Sequence, residues 1–375
     1  GIRDAQESRG LGDVYKRQIK DKGIKIINSL ENPIGLDGFE FVEYASPEPE
    51  ELRNLFKKLG FKMISKHRSK NVTLHKAGGV NFLINAEPDS FAQRFAFAHG
   101  PSVCAMAFRV KNAKEAYSHA LEKGANPVAQ DTAPMELYIP AIEGIGGSRL
   151  YLIDRYGEKS IYDVDFIPCQ EENTAIIEEP GFKFIDHLTH NVYTGRMGYW
   201  ADFYERIFNF RELKYFDIDG QKTGLISKAM SSPCGKIHIP LNESKDDKSQ
   251  IVEYLKEYQG EGIQHIALYT EDIYKTVDIL KGRGVPLQST IGTYYDLIDK
   301  RINTHNENIE ELRKRNILID GNTEEGILLQ IFTDTVIGPI FFEIIQRKGN
   351  NGFGEGNFKA LFESIELDQI RRGII

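Results

Sequence analysis

The sequence predicts an α+β fold in which repeated βαβββ units curl into two open-barrel domains. Internal repetition carries that prediction. VCAMAFRVKNAKEAYSHALEKGANPV (103–128) aligns without a gap on IQHIALYTEDIYKTVDILKGRGVPL (263–287), at a constant offset of 160. GSRLYLIDRYGEKSIYDVDF (147–166) matches EGILLQIFTDTVIGPIFFEII (325–345) as two strand-like runs around a turn containing glycine. A fainter third pair sets GFEFVEYAS (38–46) against FIDHLTHNV (184–192).

Each element follows from its own pattern. Both members of the first pair open on a short alternating apolar run, the mark of a half-buried strand. Polar turns follow at Lys111-Asn112 and Glu271-Asp272. Helical spacing comes next, with Ala113, Ala116, Tyr117 and Ala120 in one and Ile273, Thr276, Val277 and Leu280 in the other. Gly124 and Gly284 then stop the helices, as residues just past a C-cap do. The acidic, proline-flanked run PCQEENTAIIEEPG (168–181) reads as a linker. The organisation expected is therefore an N-terminal structural domain over 35–167 without a metal site, the linker, and a C-terminal catalytic domain over 182–375. Residues 1–30 are expected to be a disordered or non-native extension, since GIRDAQESRGLGDVYKRQ (1–18) is polar, unpatterned and lacks an initiating Met.

Composition narrows the function classes. The 375 residues are 41% hydrophobic and 27% charged, ordinary globular usage with ample apolar material for a core. A net charge of −8 argues against nucleic acid as a partner. No apolar run approaches the roughly 18 residues of a membrane span. Three scattered cysteines (Cys104, Cys169, Cys234) form no disulfide framework and no CxxC knuckle, so a cytoplasmic setting is expected.

Three residues carry the candidate chemistry. His187, His265 and Glu343 lie on strand-like runs of the second half and are equally spaced by 78 residues. Each sits in an apolar stretch where an unpaired ionisable group is costly. A divalent cation would offset that cost, and two His with one carboxylate is the donor set of non-haem Fe(II) with open positions. Singly, each has a plainer reading: a hydrogen-bonded core histidine, or a Glu paired with Arg347. His190 competes with His187, because three residues along a strand only one can face the pocket. His67, His75, His99, His119, His238 and His305 read as surface or structural. In the first half, Phe41 is expected opposite His187, Ala105 opposite His265 and Asp163 opposite Glu343, too few donors for a transition metal.

The second half also resembles the 4-hydroxyphenylpyruvate dioxygenase family, of vicinal oxygen chelate type. The resemblance rests on IDHLTHNV (185–192), GEGIQHIAL (260–268), LLQIFTDTVIGPIFFEIIQRKG (328–349) and GFGEGNFKALFESIE (352–366). It extends more weakly back to about residue 35. It implies Fe(II) held by His187, His265 and Glu343, and it favours His187 over His190 because the ligand follows an Ile-Asp pair. It implies that 4-hydroxyphenylpyruvate and O2 become homogentisate and CO2 in tyrosine catabolism, by oxidative decarboxylation, ring hydroxylation and side-chain migration. It further implies substrate contacts from Phe332, Phe353 and Phe358 and from Ser227, Asn242, Gln250, Gln264 and Gln330. Of the polar five, Gln330 also stands out alone, two residues before Phe332 on an apolar strand. A homo-oligomer, dimer or tetramer, is what the family leads one to expect. GFGEGN (352–357) lacks a Walker ending and reads as a connector to a terminal helix with one apolar face, which on spacing alone would equally act as a lid or simply cover the end of the core. Two rivals remain: 4-hydroxymandelate synthase, against which Pro240, Asn242 and Phe358 speak, and a metal-free binding module of the same superfamily.

Overall fold

The computed structural model describes residues 31–374 apart from 130–131, 134, 170–177, 220–222, 303–304, 323, 355, 358–368 and 370–371. Phe358 and most of the expected lid helix thus lie outside the described residues. The chain forms two eight-stranded sheets, each wrapped by helices on its outer face.

The first sheet contains β1 (Phe39–Ala45), β2 (Lys62–His67), β3 (Val72–Ala77), β4 (Val80–Asn85), β5 (Ser102–Arg109), β6 (Ala141–Glu143), β7 (Arg149–Ile153) and β8 (Phe166–Pro168). Its spatial order is β6-β7-β5-β1-β4-β3-β2-β8. Helices α1 (Pro49–Leu59), α2 (Phe91–His99), α3 (Ala113–Glu122) and the short α4 (Tyr162–Asp165) belong to this half. The second sheet runs β10-β11-β12-β9-β13-β16-β15-β14. Its strands are β9 (Phe182–Val192), β10 (Arg211–Asp219), β11 (Gly224–Ser231), β12 (His238–Ser244), β13 (Gly262–Thr270), β14 (Leu318–Asn322), β15 (Gly326–Phe332) and β16 (Phe341–Lys348). Its helices are α5 (Met197–Phe208), α6 (Gln250–Tyr258), α7 (Ile273–Gly282), α8 (Gly292–Asp296), α9 (Ile298–Arg301) and α10 (Ile309–Arg315). No helix among the described residues is long and apolar enough to cross a membrane.

The repeat seen in the sequence has a local physical cause. Asn112 caps α3 by accepting from the Glu115 amide, and Asp272 caps α7 by accepting from the Lys275 amide. Beyond each helix a glycine takes the left-handed conformation, Gly124 at φ 82° and Gly284 at φ 72°. Each helix connects a central strand to the next strands of its unit. The central pairs, β1 with β5 and β9 with β13, are antiparallel. Each is flanked by parallel neighbours, β4 and β7 in the first sheet and β12 and β16 in the second.

Strand register corrects one expectation. Ala267 lies opposite both His187 and Glu343 in the second sheet. Ala107 lies opposite both Phe41 and Tyr151 in the first. Phe41 is therefore the counterpart of His187 and Ala105 that of His265, as expected, but Tyr151 and not Asp163 matches Glu343. The misalignment arose because 154–165 does not form the second arm of a hairpin. It forms a loop and α4, and β8 crosses over to pair with β2. Asp163 sits exposed on α4, accepting from the Ser160 amide and hydroxyl. The Phe41 and Tyr151 rings pack at 5.7 Å where the second barrel carries a histidine and a carboxylate.

Candidate metal centre

Alternation along β9 turns His187, Thr189 and Asn191 inward and gives His190 to the opposite face. There the His190 ring bonds the Tyr204 hydroxyl of α5 at 2.7 Å. β13 contributes His265 and β16 contributes Glu343, both from the same concave face. All three side chains are buried, at 2–3% exposure, so water does not compete for their polar atoms. His187 Nε2 lies 3.1 Å from Glu343 Oε2, His265 Nε2 lies 3.4 Å from it, and the two Nε2 atoms are 3.3 Å apart. Two donors at right angles, each about 2.1 Å from one ion, would be about 3.0 Å apart. The residues present thus fit a single divalent cation.

The groups behind the donors aim them. Asp186 Oδ1 accepts from His187 Nδ1 at 2.9 Å, which leaves the Nε2 lone pair to face inward. Gln264 Oε1 does the same for His265 Nδ1 at 3.1 Å. Gln330 donates to Glu343 Oε1 at 2.6 Å. Arg347, read from the sequence as a possible partner of Glu343, instead grips Asp186 with two bonds of 2.7 and 2.8 Å. Glu343 and Arg347 share a face of β16, but the carboxylate that the guanidinium fork closes on is Asp186.

Electrostatics follow from burial and charge. Burial alone would push Glu343 up, yet the facing His187 imidazole outweighs it and holds the carboxyl at about 2. Burial would push His187 down, yet Glu343 and Asp186 raise it to about 9. Burial wins at His265, which is lowered despite Glu343. Arg347 overcomes burial at Asp186 and holds it well below the usual carboxylate range. Without an ion, the proton that His187 retains, helped by His265 and by the Gln330 amide, compensates the Glu343 charge. A dication would take over that role.

The cavity over the donors is walled by Phe216, Ser227, Pro240, Gln330, Phe332 and Phe353. Of the substrate contacts that the family resemblance implies, Ser227, Gln330, Phe332 and Phe353 line this cavity. Asn242 pairs in register with Ser227, is buried, and its Oδ1 has no partner among the described residues. It shares a strand face with Pro240 but is not part of the wall. Gln250 is the first residue of α6 and does not line the cavity. Gln264 does not line it either and serves to brace His265.

Sequence reasoning passed over Asp186 and Thr189, and read His238 as surface or structural. The Thr189 hydroxyl lies 2.9 Å from His265 Nε2. His238 is the register neighbour of His187 and its ring meets Phe353 at 5.8 Å; burial lowers it to about 4. The alternation of β9 could have found Thr189, and the polar residue before each histidine could have found Asp186.

The cavity is only about 10 Å³, the size of roughly one water. A larger one, about 710 Å³, opens in the first barrel beside Glu40, Asn81, Arg109 and Tyr162. Its buried carboxylate, Glu40, is already paired with Arg109 at 2.6 Å and has no histidine near it. Donor chemistry therefore makes the smaller cavity the candidate metal centre.

Comparison with known proteins adds to this geometry. Residues 30–167 match the family described as hydroxyphenylpyruvate dioxygenase, N-terminal. Residues 184–297 match the glyoxalase/bleomycin resistance protein/dioxygenase superfamily. The 4-hydroxyphenylpyruvate dioxygenase of Pseudomonas aeruginosa is 60% identical over 348 residues, 92% of this chain and 97% of that protein. Hemolysin VllY of Vibrio vulnificus is 59% identical over 349 residues, 92% of this chain and 98% of that protein. The solved structure of a mutant 4-hydroxymandelate synthase from Streptomyces coelicolor superposes with a TM-score of 0.78 at 26% identity, covering 90% of this chain and 100% of that one.

Proposed function

The chain belongs to the 4-hydroxyphenylpyruvate dioxygenase family, and from that premise we infer that it converts 4-hydroxyphenylpyruvate and O2 to homogentisate and CO2, a step of tyrosine catabolism. The observation that carries the reading to particular atoms is the convergence of His187, His265 and Glu343 within 4.8 Å of one another. In this reading they hold Fe(II) and the chain is an iron dioxygenase. When bound, Fe(II) supplies a centre at which an α-keto acid and O2 react together.

The residues do the rest. His187 and His265 present neutral Nε2 donors because Asp186 and Gln264 hold their Nδ1 protons. Glu343 supplies one negative charge, and Gln330 restrains its other oxygen. Phe332 and Phe353 offer ring faces and edges to an aryl group at low entropy cost. Ser227 and, one strand over, Asn242 provide neutral polar atoms that can bond a phenol without competing for the ion. The aromatic wall excludes water from the reacting centre. Three unpaired cysteines support a reducing compartment such as the cytoplasm.

Product identity tests the reading. Protein loaded anaerobically with Fe(II), then given 4-hydroxyphenylpyruvate and O2, is expected to yield homogentisate by chromatography and mass. Glu343→Gln removes the charge and one donor and is expected to lower kcat more than about 100-fold. Accumulation of 4-hydroxymandelate would overturn the choice in favour of the benzylic oxidant. Tight substrate binding with no turnover would point to a binding module.

A further inference from the structure

Arg347 stands at a junction that the metal site does not by itself require. Its guanidinium faces two ways. Toward β9 it holds Asp186 through Nε (2.8 Å) and Nη2 (2.7 Å), and the same carboxylate orients His187. Toward the segment after β16 its Nη1 donates to the Gly352 carbonyl at 2.5 Å and the Asn350 carbonyl at 3.3 Å. The next residue, Phe353, lies 5.7 Å from the Arg347 guanidinium and sets its ring edge to face on His187, with centroids 5.7 Å apart. Arg347 is 16% exposed and Asp186 is 4% exposed, so neither pairing is screened as a surface pair is.

A second thread runs in parallel. Gln330 donates to Glu343 and accepts from Asn357 at 3.0 Å, and a Cβ on Gly354 would lie 2.1 Å from its amide oxygen. Residues 350–354, 356 and 357 are thus seated directly on groups that hold two of the three donors. With Phe353 in place the cavity has room for about one water, and Phe353 is one of its walls.

We propose that Arg347 is a positioning residue that couples metal binding to the seating of the Phe353 segment, by sharing one carboxylate, Asp186, between His187 and the segment's carbonyl anchor. The proposal rests on the reading of His187, His265 and Glu343 as metal ligands. Coupling is reciprocal: if the seated segment holds Arg347, and Arg347 holds Asp186, then metal binding must also favour the seated segment. The guanidinium's fixed fork is what allows one side chain to serve both directions; a lysine has no such fork.

The test uses the full chain and Fe(II) alone, under anaerobic conditions. Two quantities are measured: metal affinity by competition with a chelating dye, and amide hydrogen exchange of peptides covering 349–357 with and without metal. The wild type is expected to bind Fe(II) and to show slower exchange in that segment when it does. Arg347→Met is expected to weaken Fe(II) about 10–100-fold and to abolish the metal-dependent slowing. Arg347→Lys, which keeps the charge and protects against a folding failure, is expected to fall between the two. Asp186→Asn should weaken metal similarly, and the double variant should be no weaker than the worse single, because both act on one path. Arg347 variants that bind Fe(II) within twofold of wild type, or that keep the metal-dependent protection, would overturn the coupling. A wild type that binds no metal would instead overturn the reading beneath it.

Discussion

At the scale of single residues, most of the buried polar groups answer to a named partner. His75 is a clear case outside the metal centre. It is 3% exposed, bonds the Thr73 hydroxyl at 3.0 Å and meets the Phe56 ring at 5.6 Å. Burial lowers its pKa from 6.5 to about 4. Between those values the unfolded chain takes up a proton that the folded chain refuses, so stability falls as pH drops from 6.5 toward 4 and is constant for this group above 6.5. The full effect is about 3 kcal/mol. His75→Gln is expected to flatten the pH dependence of urea stability across that window; an unchanged slope would show that another group causes it. Legibility at this scale depended on the kind of signal. His187, His265 and Glu343 stood out because ionisable groups in apolar strands demand compensation. Asp186 did not, because an Asp beside a His reads as ordinary until Arg347, 161 positions away, is seen to close on it.

Elements show the same division. The strand–helix units around β5 and β13 were readable because caps, apolar spacing and a terminal glycine all agree. The stretch 154–165 was not, because its alternating apolar residues suit a strand, while tertiary context makes a loop and α4 of them. The β3–β4 hairpin shows how tightly one element can constrain another. Its Gly78-Gly79 turn rests on the start of β9, the strand that carries His187. A Cβ at Gly78 would lie 1.8 Å from the Phe182 carbonyl oxygen, and Gly78 has φ +55°. Gly78→Ala must therefore shift backbone against backbone as well as strain the turn. It is expected to cost about 2–4 kcal/mol in chemical denaturation. A loss below about 0.5 kcal/mol would mean that the hairpin does not bear on β9.

For the molecule as a whole, one topology is written twice, and among the described residues only the second copy brings two histidines and a carboxylate together. The first barrel keeps the register of the second but fills the equivalent positions with Phe41, Ala105 and Tyr151. The barrels meet through apolar contacts such as Phe82 with Phe342, at 5.9 Å, and through the close approach of Gly146 to the Glu261 carbonyl. Sequence repetition showed the doubling directly. It could not show which strand of the first barrel answers β16, because hydrogen-bond register is set by the folded sheet and not by offset along the chain. It also left the terminal helix as an expectation, since Phe358 lies outside the described residues.

Metal stoichiometry bears most directly on the claim that one barrel carries the chemistry. Anaerobic equilibrium dialysis against Fe(II), followed by metal analysis, is predicted to give one ion per chain, and close to none when His187→Ala and Glu343→Gln are combined. Two ions per chain, or one ion still bound by that double variant, would contradict the account.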